Sequence, residues 1–381
     1  MIISSVPPAA RGGGQIALKR RLEAVSDFDC LVITDGPVES DRSVKVTFPA
    51  WVQRLQRTRF ARLVHAAVQF HPGTQVTSAV RSAARAYQPD IVLTVAHGLL
   101  WPLAADIARD IGRPLISMFM DWWPDLAYVP NLYRPRVERE FKRLYQRSQL
   151  AFVSSPQMQT ELGSHPNAHL LYDGAAKLPP FPRKRPSAAS RFRLVYVGNM
   201  SDVYADPIRQ LFERLVDDST IELQLIGAKP DWPDDILRRA KEAGVYQGTL
   251  SDEDVAAQLA NADALLVVMT HDSVHARRMR TSFPSKIGLY CQAAVPLVVW
   301  APAYSSAALW ARSSQSALLV EEPDVDSLIS AITWLAKSPN ERIRLGQRAA
   351  ECARSTFAPD HVQAVFRNSL MRIVARPDAQ S

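Results

Sequence analysis

The chain has 381 residues, 47% hydrophobic and 22% charged, with a formal net charge of +7. That length and composition suit two globular domains and argue against disorder. Cys30, Cys291 and Cys352 lack metal or redox spacing, no apolar run reaches the roughly eighteen residues that span a bilayer, and residues 1–5 read as a strand rather than a leader, so a cytoplasmic protein without structural zinc is expected.

Short apolar runs alternate with amphipathic helical patterns, which predicts parallel sheets covered on both faces. Strands are predicted at 2–5, 30–34, 44–48, 91–95, 115–120 and 150–154 in the first half. The segment 176–190, with Pro179, Pro180, Pro182 and Pro186 around Arg183-Lys-Arg185, breaks the pattern and reads as a linker. Beyond it, strands are predicted at 193–197, 222–226, 264–269, 297–300 and 317–320, with helices at 207–216, 233–243, 255–261, 286–293 and 325–337. The fold class is therefore α/β: two doubly wound, Rossmann-like parallel-sheet domains, residues 1–175 and 191–357. Facing one another, they would set their strand C-termini on the two walls of a central cleft.

Charge is uneven: residues 1–190 carry +9 and the remainder −2. Arg54, Arg57, Arg59 and Arg62 interleave with Trp51, Leu55, Phe60 and Leu63, the pattern of an amphipathic helix that fits an anionic membrane surface. A solvated basic face is the plain alternative. No helix-turn-helix, zinc-finger or RNA-recognition signature is present, so nucleic acid is not an expected partner.

Four segments carry chemistry. Gly12-Gly-Gly14 follows the first strand and opens a helix, where bare backbone can approach an anionic or sugar group. It is not a Gly-x-Gly-x-x-Gly fingerprint, and only Asp35 could serve as the acidic ribose partner, which disfavours a dinucleotide oxidoreductase. His97 ends the strand at 91–95 and can bond a hydroxyl or phosphate. Asp121 follows the strand at 115–120 beside Trp122 and Trp123, a place for a general base with an aromatic face for a sugar ring. Finally, Arg277, Arg278 and Arg280 precede Thr281-Ser-Phe-Pro-Ser285 and Lys286. Read as a cationic loop before a helix capped by Ser282 or Ser285, this arrangement suits a diphosphate.

The last segment resembles the donor-binding region of glycosyltransferases of the GT-B fold, of the retaining family-four type, through Phe283, Pro284, Ser285, Lys286, Tyr290 and Pro296. Val195-Tyr-Val-Gly-Asn199 is similar to that family's first donor strand and glycine loop, and Phe119-Met-Asp-Trp-Trp-Pro-Asp125 to an acceptor-domain element. The resemblance implies transfer of a sugar from a nucleotide-diphosphate sugar to a glycan, lipid-linked or small-molecule acceptor. It puts Gly13, Gly14, His97 and Trp122 at the acceptor or sugar, with Asp121 catalytic, and Gly198, Asn199, Arg280, Thr281, Ser282, Ser285 and Lys286 at the donor. It implies no cofactor and no metal. The tripeptides Asp252-Glu-Asp254 and Asp324-Val-Asp326 read as helix caps rather than ligands. It also implies that the final segment, 358–381, crosses back onto the first domain.

Two departures stand out. The residues Ser201-Asp-Val-Tyr-Ala-Asp206 lack the lysine that many relatives place after the glycine loop, and the family's two glutamates fall at Thr281 and Leu289. A non-catalytic partner subunit is therefore an alternative, and a nucleotide-sugar epimerase using the same site is another.

Overall fold

The computed structural model describes residues 1–9, 13–37, 42–71, 73–172 and 191–375; the expected linker 176–190 and Gly12 lie outside them. Strands β1 (Ile2–Ile3), β2 (Val32–Thr34), β3 (Ser43–Lys45), β4 (Val92–Val95), β5 (Leu115–Phe119), β6 (Leu150–Val153) and β7 (Ala168–Leu170) form one sheet, ordered β3-β2-β1-β4-β5-β6-β7. Strands β8 (Phe192–Val197), β9 (Ile221–Ile226), β10 (Tyr246–Gly248), β11 (Ala264–Val268), β12 (Leu297–Trp300) and β13 (Ala317–Val320) form a second, ordered β10-β9-β8-β11-β12-β13. Every pairing is parallel. Strand order reverses beside β1 in the first sheet and beside β8 in the second, so the switch points lie at β1/β4 and β8/β11. In open parallel sheets ligands bind at such points, outside the strand C-termini.

Successive strand residues point to opposite faces, and both faces of each sheet are covered. In the first sheet Ile3, Ile33, Val92, Leu115 and Val153 enter one core, while Ile2, Val32, Leu93, Ile116 and Phe152 enter the other. The second sheet divides the same way: Leu194, Tyr196, Leu223 and Leu266 face one side, Val195, Leu265, Val267 and Leu297 the other.

The chain divides into two compact units, Met1–Leu171 together with the chain from Val362, and Tyr172–His361. Tyr172 belongs to the second because its ring packs on Phe283 at 4.6 Å and Phe357 at 5.3 Å. The final helix, Pro359–Val374, sets Val362, Phe366 and Leu370 into the core of the first unit beside Phe152. Arg367 on the same helix grips Asp27 through two hydrogen bonds of 2.5 and 2.7 Å.

Phe366 is fully buried, so Phe366→Ala leaves a cavity and is expected to destabilise the first unit by about 3–5 kcal/mol. Chemical denaturation followed by a probe in that unit checks this. A midpoint equal to wild type would show that the helix contributes nothing to that core.

Candidate functional site

The end of β8 is held from two directions. From the helix Lys286–Gln292, the Tyr290 hydroxyl accepts a hydrogen bond from the Val197 amide at 2.7 Å and donates to the Val197 carbonyl at 3.1 Å. From β9, the Ile226 carbonyl accepts from the Gly198 amide at 2.9 Å. Burial pushes the Tyr290 hydroxyl far above its ordinary pKa, so it remains a neutral pin.

Two glycines then permit a close approach. Gly227 has φ +151°, and a Cβ there would lie 2.1 Å from the Gly198 carbonyl oxygen. Gly198 has φ +142°, and a Cβ there would lie 2.7 Å from Lys286 Nζ. Both conformations are open to glycine at little cost and strained for other residues. The space left is occupied by the Lys286 ammonium, 3.7 Å from the centroid of the Tyr196 ring. Part of the lysine surface reaches solvent, but its ammonium is enclosed by ring and backbone, and those surroundings govern its proton affinity. Among the described residues no carboxylate pairs with it, and burial lowers its pKa from the ordinary lysine range to about 7. The structure thus brings together Gly198, Asn199, Lys286 and Tyr290. Asn199 is shaped locally, its side-chain oxygen accepting from the Ser201 amide at 3.0 Å.

The neighbouring residues depart from the sequence reading. Arg277, Arg278 and Arg280 are not in a loop: they lie on a helix, Ala276–Thr281, led in by a 3₁₀ turn whose Val274 amide Asp272 caps at 2.9 Å. Arg278 donates to Asp202 at 2.6 Å, so that charge is already matched. Arg280 is exposed in the last turn. Neither serine caps the Lys286 helix. Ser285 sits at the N-cap position with helical φ and ψ of −56° and −28°, whereas side-chain capping favours extended geometry there. The Ser282 hydroxyl is buried without a hydrogen-bond partner among the described residues, and its carbonyl accepts from the Ser306 hydroxyl. Thr281 is buried and donates to the Arg277 carbonyl at 2.9 Å, while Leu289 is half-buried among apolar side chains. No carboxylate stands at either position.

In the first unit, the C-terminal ends of β1, β2, β4 and β5 carry a different set of groups. Gly13 and Gly14 open the helix Gly13–Glu23, and the position of a Cβ on Gly14 lies 3.4 Å from Met120 Sδ, directly before Asp121. The His97 ring packs against Trp123, tilted by 45° with centroids 4.2 Å apart. Asp121 is half-buried, and no hydrogen bond or ion pair engages its carboxylate among the described residues. Trp122 is not the sugar platform expected of it: it is fully buried, 5.2 Å from Phe141, because the chain turns its ring into the core before the short helix Trp123–Leu126 begins. Trp123, half-buried and against His97, is the aromatic at that edge.

One group carried little weight in the sequence. Asp35, immediately after β2, is a carboxyl whose pKa burial raises, with a hydrogen bond from Ser5 drawing it back. The Ser5 hydroxyl also accepts from the amides of Leu99 and Leu100 at 2.8 and 3.1 Å, tying β1, β2 and the segment after β4 into one cluster at the switch point. A lone aspartate after a short apolar run gives no sign of such desolvation. Both acidic tripeptides stand at helix starts: Asp252-Glu-Asp254 forms the first turn of a helix capped by Ser251, which accepts from the Asp254 amide at 3.1 Å, and Asp324 is itself the cap that accepts from the Ser327 amide at 2.7 Å.

No protein-family profile and no curated protein sequence matches the chain. Solved structures do. Sucrose-phosphate synthase from Thermosynechococcus elongatus superposes with a TM-score of 0.68 at 16% identity, covering 98% of both chains. HepE of Anabaena in complex with UDP and glucose gives 0.70 at 14% identity over 98% of this chain and 100% of its own. The α,α-trehalose 6-phosphate synthase of Burkholderia multivorans gives 0.66 at 12% identity over 99% of each. These are GT-B glycosyltransferases, and at such identities what they share with this chain is architecture. With its two parallel sheets, each reversing strand order at an inner strand, the chain has the GT-B fold.

Proposed function

We propose that this protein is a glycosyltransferase that moves a sugar from a nucleotide-diphosphate sugar to a hydroxyl of a glycan, lipid-linked or small-molecule acceptor. The observation that carries the reading is the Lys286 ammonium, enclosed at the end of β8 with no carboxylate among the described residues to neutralise it. A cation kept in that state costs stability, and the cost is offset when a diphosphate supplies the missing charge. UDP is the first nucleotide to test, because the similar HepE structures hold UDP or UDP-glucose.

In this reading Gly198 and Asn199 bring backbone up to the diphosphate. Lys286, joined by Arg280 and the hydroxyls of Ser282 and Ser285, takes up the charge that develops on the leaving group. On the first unit Asp121 accepts the acceptor's proton as the new bond forms, and His97 with Trp123 borders the sugar. Neutralisation by side chains and backbone makes a metal unnecessary. With Thr281 and Leu289 where relatives carry glutamates, the ribose is held by other groups. The same two substitutions support the second reading, a partner subunit that binds nucleotide without turnover. The exposed arginines and aromatics of residues 51–63 support work at the inner face of a membrane.

Thermal melts with UDP, GDP, ADP, dTDP and CMP are expected to single out one nucleotide, at 100-fold excess over Kd adding about 2.7 kcal/mol of apparent stability. Lys286→Ala should abolish most of that gain. No gain with any nucleotide contradicts the donor assignment. Asp121→Asn is expected to lower turnover about 100-fold or more while leaving the nucleotide melt unchanged; an unaltered rate removes Asp121 from the chemistry. Turnover in EDTA should equal that in its absence, and a loss restored by magnesium or manganese contradicts metal-free transfer.

A further inference from the structure

The outer face of the first unit exposes apolar side chains to an unusual degree. Trp51 is 60% exposed, Phe60 46%, Leu63 48%, Tyr128 51% and Leu132 85%. They are not strays from a loose core, because Val52, Ala61, Val64, Ala66 and Val68 of the same helices, Ala50–Leu55 and Ala61–Phe70, face inward and are buried. The outward set is additional to what folding needs.

This face is also cationic. Residues 42–89 contain no aspartate or glutamate. Arg54, Arg57, Arg59 and Arg62 are all exposed, and none forms an ion pair among the described residues. Two lie instead over aromatic rings, Arg59 at 5.0 Å from the Phe60 centroid and Arg62 at 5.3 Å from that of Tyr128. The second contact, with the edge-on approach of His65 to Tyr128 at 5.4 Å, joins the arginine helices to a segment some sixty residues later in the chain, Tyr128 and the 3₁₀ turn Asn131–Tyr133. Leu132 projects from that turn.

We propose that this two-segment face docks on an anionic lipid bilayer, with the four arginines on the headgroups and Trp51, Phe60, Leu63, Tyr128 and Leu132 in the interface. Charge complementarity selects an anionic partner, and the leucines select lipid over nucleic acid. An aliphatic tip has no ring on which a base could stack, whereas it gains at once from an acyl boundary. Tyr128 follows the helix Trp123–Leu126, which starts two residues after Asp121. Docking therefore holds the Asp121 loop close to the membrane surface. If the transferase reading also holds, the acceptor is a membrane-borne one; bilayer binding itself does not depend on that reading.

The test is co-sedimentation of the full chain with vesicles of phosphatidylcholine alone and of phosphatidylcholine mixed with phosphatidylglycerol, at low and high salt. Binding is expected to the mixed vesicles, weakened by salt. Each arginine near such a surface is worth a factor of about five, so joint replacement Arg54→Gln, Arg57→Gln, Arg59→Gln and Arg62→Gln should lower the partition coefficient by about 100- to 1000-fold. Leu132→Ser should lower it several-fold, with both variants melting as wild type does because the altered side chains are exposed. Three results overturn the proposal: no binding to the mixed vesicles, equal binding by the arginine variant, or retention on an oligonucleotide that the vesicles do not displace. Vesicle binding without turnover would uphold this surface and count against the transferase reading alone.

Discussion

A lysine ammonium enclosed without a counter-charge among the described residues is the constraint around which the second unit is arranged. Lys286 reaches the end of β8 because Gly198 has no side chain, and Gly198 takes its path because Gly227 lets the neighbouring backbone approach its carbonyl. Tyr290, one helical turn beyond Lys286, fixes the strand end from the same helix. The Tyr196 ring supplies the face that the cation occupies. Attraction to such a ring is worth about 0.5–2 kcal/mol, and against it burial lowers the lysine pKa to about 7.

The two units share one strand order over six strands, the first adding β7 at its edge, with different chemistry at their switch points. Among the described residues, at β8 a cation lacks an acidic partner; at β1, β2 and β5 the groups are carboxyls, Asp35 desolvated beside Ser5 and Asp121 unengaged, with His97 and Trp123 alongside. An anion suits the first arrangement and a polyhydroxylated, uncharged group suits the second. The fold places both sets at strand C-termini, and the residues after each strand give each set its sign.

Much of this was legible in the sequence, for physical reasons. Strands such as 264–268 and 297–300 are buried on both faces and therefore read as unbroken apolar runs. The edge strands β7 and β10 escaped notice because they have three residues each, none of them fully buried, and so carry no apolar signature. The helix Ala276–Thr281 looked like a loop because its run of arginines masks a single turn anchored by Met279. Trp122 and Trp123 are indistinguishable as letters, and the direction of one turn sends the first into the core. Lys286 was identifiable from its motif, but its lost proton affinity comes from burial against a strand end some ninety residues away in the chain.

The most direct measurement is calorimetric titration of UDP at about pH 8 in two buffers of different ionisation enthalpy. With a free pKa of about 7, Lys286 is mostly neutral there; a bound diphosphate raises its pKa, so binding should take up close to one proton, and affinity should fall as pH rises above about 7. Lys286→Met should abolish the uptake. Binding heats that are independent of buffer, or the same uptake in the variant, would contradict the account.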